Sequence, residues 1–155
     1  MVPVTPSSVN TMRQRKTDRH RPRPRWSEYG RPRPDSRVLQ WLRHQSIDSL
    51  YVSAVTIGEI RRGLDLLPQG KRRADLEIWF QTTLPNWFGE RVLPVTRTIA
   101  ERWGALDAQC QLKGTPLNTA DGMIAATALE HGLTVVTPNT RDFSGTAVPV
   151  FNPWE

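Results

Sequence analysis

From Asp35 onward the apolar positions of the chain fall into two rhythms, and each rhythm predicts a kind of element. Val38, Leu39, Trp41 and Leu42 follow Asp35 at helical spacing, so a helix capped by that aspartate is expected. The run Leu50-Tyr51-Val52-Ser53-Ala54-Val55 is short, β-branched and aromatic, the character of a buried strand. Ile57, Ile60, Leu64 and Leu67 then recur every three or four positions in TIGEIRRGLDLLP, a helix that Pro68 ends. A second helix follows the turn at Gly70 and carries Leu76, Trp79, Phe80 and Leu84. RVLPV (91–95) is the next strand candidate. In TIAERWGALDAQCQLK a helix places Ile99, Trp103, Leu106 and Cys110 on one face. NTADGMIAATALEHG reads as another, with Asn118 or Thr119 as cap and Gly132 as its left-handed stop. LTVVT (133–137) is the clearest buried strand, and VPVF (148–151) is a last one.

Strands alternating with helices predict an α/β fold, a parallel sheet with helices on its faces. In such sheets ligands sit beyond the carboxyl ends of the strands. Polar residues just past those ends are therefore the ones to examine.

The first part of the chain has neither rhythm. Residues 1–26 hold Pro3, Pro6, Pro22, Pro24 and a cluster of arginines, with little that can be buried. Such a segment cannot offset the entropy of its own ordering, so 1–26 is expected to be a disordered basic arm and 27–155 a single globular domain. Charge divides at the same place. The net charge of +6 suggests a polyanionic partner, but residues 1–37 contain ten Lys/Arg and three acids, while 38–155 contain eleven and twelve. The positive excess belongs to the arm, where solvated tail and nucleic-acid contact both remain open. Only Trp26 and Tyr29 lie near it as stacking groups, which ranks a nucleic-acid-binding arm last among the functions considered.

A single cysteine, Cys110, rules out an intrachain disulfide and a cysteine-built zinc site, and it suits a small apolar filler on a helix. No apolar run approaches membrane-spanning length and no signal core follows the first basic residues, so a cytoplasmic protein without membrane association is expected.

Three acids fall where the topology puts ligands. Glu59 follows the strand 50–55 and Asp142 follows the strand 133–137, while Asp121 sits in the first turn of the helix after Asn118. If they converge, a hard divalent cation would offset their mutual repulsion. Each has a duller reading. Thr56 and Glu59 have the spacing of a capping box, Asp121 complements a helix dipole, and Asp142 suits a loop turn. Spacing alone leaves these alternatives open.

The stretches LYVSAVTIGEIRRGLDLLPQGKRR and TADGMIAATALEHGLTVVTPNTRDF, with the closing FNPWE, resemble PIN-domain ribonuclease toxins of the VapC and FitB type. The resemblance runs in unbroken order from about Ser27 to Glu155. It implies a PIN-like fold and the toxin half of a type II toxin–antitoxin system, which cleaves RNA as a metal-dependent endoribonuclease. It further implies four acidic residues around Mg²⁺ or Mn²⁺, a cognate antitoxin as partner, and a homodimer. Carried over by motif, three of the acids are Glu59, Asp121 and Asp142, as catalytic and metal-binding residues. Thr119 and Asn139 become neighbouring polar supports. Arg61, Arg62, Arg72 and Arg141 are candidates for steering an RNA backbone, or are solvated helix-surface groups.

The fourth acid is missing. The family's usual opening is a hydrophobic strand ending in a pattern like Leu-Asp-Thr-Asn-Val-Val-Ser-Glu, whose Asp is the first metal ligand. Ser27-Glu28 matches the end of that pattern, and counting back puts Pro22 at the Asp and Arg-Pro repeats where the strand belongs. Proline donates no ladder hydrogen bond, and buried arginines are costly, so the first strand is expected to be lost or replaced. A misassigned start, a frameshift and a true replacement each account for this. The loss is expected to impair activity; the alternative is an inactive PIN-domain remnant that only binds its antitoxin.

Overall fold

The computed structural model describes residues 35–155. The expected arm at 1–26, the start of the 27–155 domain and the position of the lost strand lie outside them.

Asp35 caps the first helix as expected: its carboxylate accepts the Arg37 amide at 2.9 Å, and α1 runs Ser36–Arg43. Strand β1, Val52–Ser53, passes directly into α2, Ala54–Asp65. After Gly70, α3 (Lys71–Ile78) continues through a π-helical turn, Trp79–Thr83, into α4 (Leu84–Phe88). The cause of the widened turn is Pro85 near the start of α4. It has no N–H, and its ring would press on the carbonyl one α-turn earlier, which a π-turn moves aside.

Strand β2 (Val92–Leu93) precedes α5 (Arg97–Leu112), and α6 (Thr119–Glu130) precedes β3 (Val135–Val136) and β4 (Val150–Phe151). β1 and β2 are parallel, with Val52 opposite Val92, and so are β3 and β4, with Val135 opposite Val150. The strand positions and their parallel sense match the expectation, but each strand is shorter than its apolar run. Among the described residues the sheet comes as these two pairs, with no ladder joining one to the other.

Each pair has its own core. Around β1, Leu50, Ile60, Leu64, Leu76 and Phe88 are buried together with the half-buried Trp79 and Phe80 packed on them. Around β3, the buried group is Ile124, Ala125, Ala128, Leu133, Phe143 and Val148. Tyr51, Val55 and Leu93 from the first pair pack against the second core, so the two halves adjoin. Cys110 is buried, and its Sγ donates to the Gly145 carbonyl at 3.1 Å, in keeping with a small filler.

Helices α2 and α3 are also held by charge. The Arg61 guanidinium donates to Asp65 at 2.9 and 2.6 Å and to Glu77 at 2.7 and 2.9 Å. It lies over the Phe80 ring, 5.4 Å from the centroid. Of the four arginines considered for RNA steering, Arg61 is thus engaged within the fold, while Arg62, Arg72 and Arg141 are exposed.

The hydrogen bonds from Arg61 hold both the Asp65 and the Glu77 carboxyls below their usual range. A carboxylate with a lowered folded pKa contributes stability above its ordinary pKa, and that contribution is lost as pH falls through the folded value. Arg61→Met is therefore expected to lower the melting temperature at pH 7. The gap to the parent should close as pH falls below about 4, where unfolded carboxylates take up protons. Melting curves across pH 7 to 3 check this, and a gap independent of pH would leave Arg61 acting through packing alone.

Candidate active site at the strand ends

The carboxyl end of β1 is Ser53, which is buried and has extended backbone geometry, φ −73° and ψ 142°. Its hydroxyl accepts the Val55 amide at 3.2 Å and so caps α2. The helix thus begins one turn earlier than the Thr56 cap that the spacing suggested, and Thr56 lies buried within its first turn. A capping box between Thr56 and Glu59 is accordingly excluded: the helix already has its N-cap, and Glu59, half-buried, stands a turn farther along α2. The duller reading of Glu59 falls with it.

Asp121 is in the first turn of α6. Asn118 is the cap, its side-chain oxygen accepting the Ala120 amide at 3.0 Å. Asp121 itself is only 2% exposed. Burying a carboxylate this deeply opposes folding unless neighbouring dipoles and hydrogen bonds compensate. The positive end of the α6 dipole supplies part of that compensation.

Beyond β3 the chain places Thr137 and Asn139, both buried. The Thr137 hydroxyl accepts the Asn139 amide at 3.1 Å, and the Asn139 carbonyl accepts the Asp142 amide, also at 3.1 Å. Asp142 is exposed, in a 3₁₀ turn (Thr140–Phe143) anchored by the buried Phe143 ring. Of the two expected polar supports, Asn139 is buried and Thr119 is exposed.

Helix α6 packs against both α2 and the 140–143 turn, so the elements carrying the three acids adjoin. Their carboxylates are not gathered to the same degree. Among the described residues no three Asp, Glu, His or Cys side chains form a group able to hold a metal ion. Glu59, Asp121 and Asp142 are thus not gathered as such a three-membered group among the described residues. Mg²⁺ takes six oxygen ligands and keeps several waters among them, so one or two protein carboxylates can suffice to hold it.

Residues that the sequence reading did not single out as site members are Ser53, Thr56 and Thr137, which with Asn139 and Asp121 make up most of the buried polar side chains of the described chain. Their signal is present in the sequence: a small hydroxyl residue closes each buried apolar run at its carboxyl end, in Val52-Ser53 and in Val135-Val136-Thr137.

The model of the PIN domain family matches residues 26–149. The chain is 38% identical over 129 residues to the VapC ribonuclease Y4jK of Sinorhizobium fredii, covering 83% of this chain and 92% of that protein. It is likewise 38% identical over 128 residues to the toxin FitB of Neisseria gonorrhoeae, with 83% and 92% covered. The crystal structure of FitAcB from Neisseria gonorrhoeae superposes with a TM-score of 0.78 at 37% identity, covering 84% of this chain and 94% of the other.

Ser53→Ala is expected to cost about 0.5–2 kcal/mol through loss of the α2 cap. Removing the Glu59 carboxylate has no cap to break and should stay within about 0.5 kcal/mol. Urea denaturation of the two variants distinguishes this cap from the one at Thr56.

Proposed function

The chain belongs to the PIN-domain family, and on that premise we propose that it is the toxin component of a type II toxin–antitoxin system, an endoribonuclease whose metal-dependent cleavage of RNA is impaired. The observation that carries the reading is Asp121, a carboxylate buried in the first turn of α6, in a chain 38% identical to a VapC ribonuclease and to the toxin FitB. Glu59 on α2 and Asp142 in the adjoining turn are its proposed partners, and Mg²⁺ or Mn²⁺ its proposed cofactor. Two facts support the impairment. Pro22 stands where the resemblance calls for an aspartate, and the described acids do not by themselves form a three-membered metal-holding group.

The proposed partners are an RNA substrate, a cognate antitoxin and a second copy of the chain, acting in the cytoplasm. Among the described residues no helix is long and apolar enough to cross a membrane. The missing aspartate at Pro22 also favours a second reading, a PIN-domain remnant that has lost cleavage and retains antitoxin capture.

The two readings separate in one set of measurements. The purified full chain is incubated with RNA and Mg²⁺ or Mn²⁺, with and without EDTA, beside Asp121→Asn. Slow cleavage that EDTA stops, and that the variant lowers at least about 10²-fold, supports the nuclease. Binding of the antitoxin without cleavage supports the remnant, and neither activity overturns both.

A further inference from the structure

Asp121 is followed by a glycine, and the structure gives that glycine a reason. Gly122 is buried on α6, which packs against α5. A Cβ at this position would lie 2.8 Å from both Cδ1 and Nε1 of Trp103 on α5, and 3.6 Å from the Leu117 side chain. Carbon atoms in contact stand about 3.5–4.0 Å apart, so a methyl group has no room unless the indole or the helix moves. Glycine inside a helix is destabilising relative to alanine, and at this position only glycine lets the ring reach the backbone.

Shape, not hydrogen bonding, holds the indole there. Its Nε1 is buried and has no hydrogen-bond partner among the described residues. A donor held dry in this way opposes folding, and packing must offset it. Gly104, the next residue on α5, makes the contrast: a Cβ there meets nothing within 4 Å. The tight approach is thus specific to the Trp103–Gly122 contact.

Consecutive residues on a helix point about 100° apart. With Gly122 directed at α5, Asp121 projects from a different side of the same turn. The Gly122 amide also donates to the Asn118 carbonyl at 2.9 Å, tying the contact to the cap of the helix. We propose that Trp103 is a positioning residue for Asp121: its indole, seated on the backbone at Gly122, fixes where the first turn of α6 stands and so where the buried carboxylate lies. This deepens the reading of Asp121 as a site residue and rests on it.

The test uses the full chain, without metal, at a temperature where every variant is folded by circular dichroism. The readout is the carboxyl ¹³C resonance of Asp121, with the Asp107 resonance on α5 as internal reference. Gly122→Ala is expected to displace the Asp121 signal. Adding Trp103→Leu to that variant opens space and should return the signal toward its parental place. Gly104→Ala should leave it unmoved. If Gly122→Ala lowers stability in urea while the Asp121 signal stays in place, or if Trp103→Leu fails to restore it, the positioning role is overturned and the contact is structural only. If Gly122→Ala fails to fold, Trp103→Leu alone decides the matter: the gap it leaves at Gly122, which the added methyl helps to fill in the double variant, must then displace the signal. An absence of RNA cleavage by the parental chain tells against the proposed nuclease activity and leaves this readout standing.

Discussion

A helix that buries Gly122, Ile124, Ala125, Ala126, Thr127 and Ala128 around its circumference can exist only between layers, and α6 obliges α5, α2, β3 and the 140–143 turn to close around it. Its small side chains make that closure tight. Alanine and glycine bring neighbouring backbones close, and the ring of Trp103 fills the approach at Gly122. The cost of the arrangement falls on the one acid in the helix's first turn. Asp121 cannot leave the interior without taking the start of the helix with it, so an element demanded by packing also carries a carboxylate away from water.

The strand ends carry buried polar groups of their own. Ser53 closes β1 and caps α2, and Thr137 follows β3 and braces the turn that leads to Asp142. Hydroxyl groups at these ends satisfy backbone amides that would otherwise be buried without acceptors. The same groups set the directions in which Glu59 and Asp142 leave the sheet. Local hydrogen bonding and site geometry are therefore one problem at the carboxyl ends of β1 and β3.

Elsewhere the fold relies on a different balance. Arg61 joins α2 to α3 through two carboxylates and an aromatic face, at a boundary too exposed to be sealed by apolar packing alone. The π-turn before Pro85 lets one helical path continue past a residue that would break it, carrying Leu84 and Phe88 back onto the core around β1. Both devices keep the α2 side of the molecule in place beside the buried α6. The family likeness places this arrangement among PIN domains, where the proposal of an impaired toxin takes its meaning.

The element order was legible in the sequence because it depends on short-range periodicity. Val135, Val136 and Thr137 read as a buried strand, and Ile60 and Leu64 as a core stripe, from spacing alone. The motif around Asp121 was legible as a family resemblance, though its 2% exposure was not. Other features needed the folded chain. Whether Thr56 or Ser53 caps α2 depends on where β1 stops, and a strand stops where its partner does. That Arg61 is bound within the fold depends on Glu77, sixteen residues away and across a helix boundary. Spacing put Glu59 and Asp142 past two strands and Asp121 at a helix start, but how near they stand is a matter of angles between packed helices, which no local pattern encodes. Gly122 looked like an ordinary glycine in a helix until Trp103, on another helix, was found against it. Periodicity fixes which face of an element is buried; only packing decides what that face meets.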